Sequence, residues 1–173
     1  PLSLEELSLL LWCSQGVKRS HGQLAILKTV PSAGARHAFE TYLLINNVSG
    51  LKKGLYQYAP LNHRLIPFDL ENDLTDSIVG YCHGQEFVKK AAVTFFWIAY
   101  PYRMTWRYQE RGYRYLLIDV GHVCQNLYLA AESINGGACA VAAFDDDGLD
   151  ALFKLEKGKA FVIYLAAVGK RPV

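Results

Sequence analysis

Hydrophobic and polar positions alternate along the chain in patterns that predict both helices and strands. Ser3 is followed three residues later by Glu6, which is the spacing of a helix N-terminal capping box. The leucines that follow recur at helical spacing: Leu4, Leu7, Leu10 and Leu11. The pattern therefore predicts an amphipathic helix that ends before Gly16.

Short apolar runs separated by turn residues dominate the next part of the chain. The polar stretch VKRSHGQ is predicted to be a loop, and TYLLINNV and GLYQYA are predicted strands joined through the hairpin-type connection SGLKKG. Residues 64–68 are expected to add a short third strand. Two short helical pieces, broken near Gly80, then precede a strong buried strand over residues 92–100.

The last third of the chain is dominated by one helical pattern. Residues 100–117 predict a loop followed by helix, and Asp119 is expected to be the N-cap of a helix with His122 in its first turn. Its apolar stripe consists of Val120, Val123, Cys124, Leu127, Ala131 and Ile134. After Asn135, Gly136 and Gly137, the chain predicts a strand (ACAVAAF), an Asp-capped short helix (DDDGLDALFKL) and a final buried strand (AFVIYLAAVG).

These elements predict a mixed α+β fold, a sheet covered by helices, because helices and strands are interspersed without a strict alternation. The 173 residues fit a single domain, residues 1–173, that can bury a sizeable core. Because the chain begins at Pro1 without Met, we expect a short upstream segment to be missing.

Composition excludes several classes of function. A net charge of +2 gives no electrostatic basis for nucleic-acid binding, and the most apolar run, AAVTFFWIAYPY, is too short to span a bilayer. The four cysteines are far apart and form no C-x-x-C pair, which indicates free buried thiols, no metal site and a cytoplasmic protein. No G-x-S-x-G, Walker A, G-x-G-x-x-G or H-E-x-x-H motif is present.

Three stretches carry candidate binding chemistry, and each has a structural explanation as well. The bend PSAG with Arg36 and His37 offers backbone N–H groups and a close backbone approach to a flat polar ligand, or is a turn before a strand. The small residues of NGGACAVAAF let an aromatic ring approach the backbone, or end a helix. Lys170 and Arg171 suit an anion, or form a solvated tail. Asp119 and His122 form an acid/base pair only if Asp119 is not a helix cap.

Taken together, PSAGARHAFETYLLINNVSGLKKGLYQYAPLNHRL, WRYQERGYRYLLIDVGHVCQNLYLAAESINGGACAVAAF and IYLAAVGKRP resemble the SagB-type (thiazole/oxazole) dehydrogenase branch of the FMN-dependent nitroreductase family. The resemblance covers nearly the whole chain. It implies a nitroreductase-like fold, with a central, mostly antiparallel sheet flanked by helices, and a homodimer whose FMN lies at the subunit interface.

The resemblance also implies which residues hold the cofactor. Pro31, Ser32, Ala33 and Gly34 are expected to line the flavin ring, with Arg36 adding a donor and Ser32 or a neighbouring backbone group near the polar edge. Residues 136–140, with Gly136 and Gly137 as the cofactor-binding positions, are expected near the opposite side of the ring, and Lys170 and Arg171 beside the FMN phosphate. The hydride chemistry itself belongs to the isoalloxazine.

Two features depart from that family pattern. Its members usually carry an R-x-S phosphate-binding motif just before the first helix, where this chain has not yet begun. Azoline-forming members resemble W-K-Y-G-E-R where this chain has WRYQER, so that Arg107 and Tyr108 replace a Lys-Tyr pair associated with proton removal. An arginine stays protonated and is a poor general base, whereas Tyr108 can act as an acid or an orienting hydroxyl.

The sequence therefore predicts an FMN-dependent oxidoreductase that transfers hydride between flavin N5 and a small conjugated molecule or a peptide azoline, with NAD(P)H as a candidate electron donor. The alternative is a non-catalytic flavin-binding or scaffold subunit of a peptide-modifying complex. In a third interpretation the chain is a plain α+β domain whose loops are only structural.

Overall fold

The computed structural model describes residues 1–22 and 25–171, and these residues form helices and strands in mixed order. The α-helices are α1 (Leu4–Gln15), α2 (Thr75–Tyr81), α3 (Phe87–Lys90), α4 (Tyr102–Tyr108), α5 (Arg111–Ser133) and α6 (Asp146–Leu152). The strands are β1 (Val17–His21), β2 (Ala25–Lys28), β3 (Phe39–Ile45), β4 (Gly54–Ala59), β5 (Arg64–Asp69), β6 (Val93–Ala99), β7 (Gly136–Val141) and β8 (Phe161–Lys170).

Six of the strands form one sheet in the order β5-β4-β3-β6-β8-β7, and every neighbouring pair in it is antiparallel. The predicted α+β class with a mostly antiparallel central sheet is therefore confirmed. The hairpin between β3 and β4 and the short strand β5 also lie where the sequence predicts them.

The sheet is covered on both faces, which explains the unbroken apolar run of β6. Val93, Phe95 and Trp97 point to the core cluster that includes α1 and α5, whereas Phe96 and Ile98 point to the cluster that includes α2, α3 and α6. A central strand buried on both faces needs apolar residues at every position. All seven residues of β6 are buried accordingly.

The capping box predicted for the first helix is formed in the structure. The N–H of Ser3 donates to Glu6 Oε2 at 2.9 Å, and the N–H of Glu6 donates to Ser3 Oγ at 3.2 Å. Leu7, Leu10 and Leu11 are buried in the core beneath. The cap fixes where the helix begins, and the leucine stripe fixes which face packs.

The prediction of a loop over residues 17–23 was wrong. Residues Val17–His21 form β1, which pairs antiparallel with β2 in a separate two-stranded ribbon; Gln23 lies outside the described residues. The polar composition of β1 led to the prediction of a loop. A two-stranded ribbon with exposed positions can form without the alternating apolar pattern that identifies most strands.

The loop predicted before the long helix was also wrong, as was the N-cap role of Asp119. Residues Tyr102–Tyr108 form α4, and α5 begins at Arg111 and runs for 23 residues, so that Asp119 and His122 lie in its interior. Asp119 is only 3% exposed. An Asp that precedes an apolar stripe is typical of a helix N-cap. A buried Asp inside a helix needs a hydrogen-bond partner, and here that partner is distant in sequence and has no local signal.

The cysteines are only partly as predicted. All four thiols are free, and Cys82 and Cys124 are buried, but Cys13 is half-buried and Cys139 is exposed.

Within residues 1–22 and 25–171, no helix combines the length and the apolar character needed to cross a membrane.

Candidate functional site

The PSAG segment forms a tight turn between β2 and β3. Ser32 is extended, Ala33–Ala35 make a short 3₁₀ turn, and Gly34 adopts a left-handed conformation with φ of 56°. A Cβ atom at Gly34 would collide with the hydroxyl group of Tyr108. Glycine is favoured here for both reasons, since L-residues disfavour this φ and any Cβ atom would require the Tyr108 hydroxyl group to move.

Asp119 clamps this turn to the middle of α5. Its Oδ2 accepts the hydroxyl of Ser32 at 2.6 Å, and its carboxylate oxygens lie 3.1 and 3.2 Å from the backbone nitrogen of Ala33. Burial raises the pKa of the Asp119 carboxyl, and the hydrogen bonds from Ser32 and Ala33 oppose that rise. No local sequence pattern joins Asp119 to the turn, which lies 86 to 87 residues away.

The Ser32 hydroxyl group is already hydrogen-bonded within the chain. That hydroxyl donates to Asp119 and accepts the N–H of His37 at 2.9 Å. It therefore shapes the turn from behind, and a polar contact from this turn to a ligand falls to its backbone groups.

Arg36 binds to α4 rather than facing a cleft. Its Nε donates to the carbonyl oxygen of Arg103 at 3.0 Å, and its guanidinium lies 4.5 Å from the centroid of the Trp106 ring. This stacking is a cation–π contact. Arg36 thus holds the turn against α4, and its role as a cofactor donor stays a prediction.

Arg107 and Tyr108, at the C-terminal end of α4, lie beside the turn. The half-buried Tyr108 packs edge-on against Tyr115 at 4.8 Å between ring centroids, and its hydroxyl group covers Gly34. The Arg107 guanidinium lies 5.6 Å from the Tyr108 ring centroid and is exposed. The structure therefore brings the predicted catalytic pair to the predicted flavin-binding turn.

An open cleft of about 610 Å³ lies between the β1–β2 ribbon and the turn; we call it the ribbon cleft. Its charged, polar and turn residues include Lys18, Arg19, Lys28, Pro31, Ser32 and His37. Because Pro31 and Ser32 form one wall, a ligand in this cleft would lie directly against the PSAG turn.

His37, at the edge of this cleft, predicts a pH dependence of stability. Burial and the charge of Lys28 lower the pKa of His37 to about 4. Between pH 6.5 and 4 the unfolded chain takes up a proton that folded His37 refuses, so the free energy of unfolding falls as the pH falls. Urea denaturation at pH 7 and pH 5 measures this fall in the free energy of unfolding. We expect the fall to be about 1–2 kcal/mol smaller in His37→Asn than in the wild type.

His83→Asn is the matched control for that experiment. His83 has a similar left-handed backbone, with φ of 54° against 45° for His37, but its side chain is exposed. Equal pH dependence in the wild type and His37→Asn would show that His37 does not cause the loss.

The remaining predicted residues lie together at the C-terminal end of α5. Gly136 pairs with Lys170 across β7 and β8, and Gly137 lies near the side chain of Arg171. Lys170 Nζ donates to the carbonyl oxygen of Ile134 at 2.7 Å and pairs with Glu6, and Arg171 pairs with Glu132. These cations are bound by carboxylates and a helix end in this chain, so an anion would compete with those partners.

One chain does not bring the two groups of predicted site residues together. The turn is fixed to Asp119, and the glycines and cations gather beyond Ser133, about 14 residues further along α5. At about 1.5 Å per residue, the two groups are roughly 20 Å apart along the helix.

Among the described residues, no group of three or more His, Cys, Asp or Glu side chains could hold a metal ion.

Comparisons with known proteins agree with this architecture. A solved structure from Anabaena variabilis, named as a nitroreductase, superposes with a TM-score of 0.87 at 28% identity; the match covers 95% of this chain and 34% of that one, so this chain spans about a third of its length. A protein of Methanocaldococcus jannaschii named as a nitroreductase is 34% identical over 171 residues, 99% of this chain and 82% of that protein.

A further relative is named for trifolitoxin processing. The trifolitoxin-processing protein TfxB of Rhizobium leguminosarum bv. trifolii is 30% identical over 112 residues, which are 61% of this chain and 29% of that protein. The sequence model of the Nitroreductase family matches residues 1–170. The chain therefore belongs to the nitroreductase family of FMN-dependent oxidoreductases.

Proposed function

We propose that two copies of this chain bind FMN between them and exchange a hydride between the flavin and a conjugated or peptide substrate. The observation that carries this proposal is the separation of the predicted cofactor residues into two groups at different points along α5. A second copy, running antiparallel beside α5, would supply the group that each turn lacks.

The outer face of α5 supports a second copy as its partner. Tyr113, Leu117, Ile118 and Leu129 are large apolar residues between 48% and 66% exposed on this one helix. Apolar surface of this kind on a folded chain is typical of an interaction site. A two-fold dimer uses the same patch on both subunits, which places each turn beside the other subunit's half-site.

The residues of the turn and of the far end of α5 fit an FMN group. The turn offers a wall with no side chain at Gly34, and the far end of α5 offers two glycines with Lys170 and Arg171 for a phosphate. When bound, the flavin supplies the hydride chemistry at N5. The chain's part is to fix the ring, exclude water from one face and hold the phosphate.

Tyr108 and Arg107 have different chemical roles in this proposal. The Tyr108 hydroxyl covers Gly34 and is therefore placed to donate a hydrogen bond or a proton to a substrate that lies against the turn. Arg107 contributes a guanidinium group, which donates hydrogen bonds and carries positive charge rather than acting as a base. This pairing favours reduction or orientation of a substrate over proton removal from an azoline ring.

Two observations bear on the substrate and on the alternative function. The similarity to TfxB, named for trifolitoxin processing, supports a peptide substrate in the SagB-type branch. Arg107 in place of a lysine supports instead a small conjugated acceptor with NAD(P)H as donor, or a non-catalytic flavin-binding subunit of a peptide-modifying complex.

A visible spectrum of the purified full-length protein tests the proposal. We expect flavin bands after FMN is added, and bleaching of these bands under anaerobic conditions with NAD(P)H or with a reduced azole-precursor peptide. Flavin that binds but bleaches with neither reductant would favour the non-catalytic subunit. Absence of flavin binding would contradict the proposed function.

Replacing Leu117 by lysine tests the dimer. We expect Leu117→Lys to convert a dimer to a monomer in light scattering and to weaken FMN binding by more than about tenfold, because a charge would be buried in the interface. Leu61→Lys is the matched control, since Leu61 is equally exposed at 66% but lies between β4 and β5. A Leu117→Lys dimer with normal FMN affinity would place the interface elsewhere.

A further inference from the structure

The ribbon cleft carries a concentration of positive charge that the flavin proposal does not use. Lys18, Arg19 and Lys28 line it, and no Asp or Glu is among its lining residues. Lys18 and Arg19 are exposed, and Lys28 is half-buried next to the turn. The cleft is thus a concave surface with three cations on its wall.

An irregularity in the ribbon brings neighbouring cations to the same cleft. Val17 pairs with Lys28 and Arg19 pairs with Leu27, so Lys18 is an extra residue where the register shifts. Successive residues of a regular strand point to opposite faces, whereas a bulge re-aims one of them. Lys18 and Arg19 therefore both line the cleft, although they are adjacent in sequence.

The three cations have no carboxylate partner among the described residues, unlike Lys89, Lys159 and Lys170, which form ion pairs. Lys28 Nζ donates instead to the neutral amide oxygen of Gln15 at 2.6 Å. Gln15 is 1% exposed, and its amide nitrogen has no hydrogen-bond partner in the described part of the chain.

Burial lowers the pKa of Lys28 to about 8; the charge of Glu40 opposes this shift, and the charge of Arg103 adds to it. The charge of Lys28 in turn lowers the pKa of His37, in addition to the larger effect of burial. An anion bound next to Lys28 would favour the charged form of this lysine.

We propose that the ribbon cleft binds the anionic group, a carboxylate or a phosphate, of the substrate that reacts at the PSAG turn. This inference rests on the proposed function, because Pro31 and Ser32 form the wall shared by the cleft and the turn. Lys18 and Arg19 select for the anion by charge, and Lys28 binds it next to the turn. A carboxylate would belong to an acidic peptide or small acid, and a phosphate to a dinucleotide.

Calorimetric titration of the FMN-loaded full-length protein tests this inference with two probes that differ in charge, 4-nitrobenzoate and 4-nitrobenzamide. We expect the wild type to bind the anionic probe more tightly, and the ratio of the two affinities to fall about tenfold in the double variant Lys18→Gln/Arg19→Gln. The preference should also shrink as salt is raised. Competition by inorganic pyrophosphate, compared with acetate, distinguishes a phosphate site from a carboxylate site.

The control is the double variant Lys52→Gln/Lys53→Gln, which removes the same charge from two exposed lysines in the β3–β4 connection. It should keep the wild-type ratio. Equal binding of both probes by the wild type, or an unchanged ratio in Lys18→Gln/Arg19→Gln, would overturn the inference.

A separate titration with FMN and riboflavin distinguishes this inference from the proposed function. If Lys18→Gln/Arg19→Gln weakens FMN but not riboflavin and leaves the probe ratio unchanged, these cations bind the cofactor phosphate and the inference fails. If the protein binds neither flavin yet prefers the anionic probe, the proposed function fails and the anion site remains.

Discussion

Replacing Asp119 by alanine is expected to abolish tight FMN binding and to lower the free energy of unfolding by about 2–3 kcal/mol. Asp119 is buried and accepts hydrogen bonds from the Ser32 hydroxyl and the Ala33 N–H. Alanine would leave both donors without an acceptor and would free the turn from α5. Urea denaturation measures the stability, and a flavin fluorescence titration measures the affinity.

Asp119→Asn should recover part of both losses. Its amide oxygen can accept the Ala33 N–H, and its amide N–H can donate to the Ser32 hydroxyl oxygen. Recovery of FMN affinity by Asn, but not by the apolar Asp119→Leu, would show that the hydrogen bonds position the turn.

The control for general destabilisation is Asp150→Ala. Asp150 Oδ1 accepts the N–H of Val162 at 2.8 Å, so this residue is also a carboxylate that holds backbone, but it joins α6 to β8 away from the turn. We expect a loss of stability with little loss of FMN affinity. Normal FMN binding by Asp119→Ala would show that the hydrogen bonds from Ser32 and Ala33 to Asp119 are not needed for the cofactor site.

The double variant Lys170→Ala/Arg171→Ala is expected to weaken FMN binding by at least about 100-fold, because two charge-assisted contacts to a phosphate contribute about 1.5–3 kcal/mol each. Riboflavin, which has no phosphate, should lose much less affinity. Titration of both flavins therefore separates loss of the phosphate contact from damage to the end of α5, which Lys170 caps through the Ile134 carbonyl.

Lys157→Ala/Lys159→Ala provides a control with the same change of charge. Both lysines are exposed between α6 and β8, and Lys159 pairs with Glu156 at 2.7 Å, much as Lys170 pairs with Glu6. An FMN-to-riboflavin affinity ratio that is the same in the Lys170/Arg171 variant and the wild type would exclude these cations from the phosphate site.

Most of the secondary structure could be predicted from the sequence because its signals are local. The capping box at Ser3 and Glu6, the apolar run of β6 and the Asp145 cap of α6 each depend on residues a few positions apart. The errors arose where local signals are weak or ambiguous. The polar strand β1 has no apolar alternation, and Asp119 looks like a helix cap until its distant partner is known.

The candidate site was predictable only in its parts. The resemblance pointed to the PSAG turn and to Lys170 and Arg171, but not to their separation along α5 or to the carboxylates that pair with both cations. It also gave no sign that the Ser32 hydroxyl is engaged from behind by Asp119 and His37. These are contacts between residues far apart in sequence, which no local pattern specifies.

The sequence by itself determined the order of most helices and strands, the α+β class and the family, because periodicity, caps and motifs act over short distances. Only the tertiary structure decided that Asp119 holds the turn, that Tyr108 covers Gly34 and that three cations with no carboxylate partner among the described residues line one cleft. The physical reason is that each of these features depends on residues that are distant in sequence. A buried carboxylate needs hydrogen-bond donors, the space beside a left-handed glycine depends on its neighbours, and a cationic cleft depends on which charges fold next to each other.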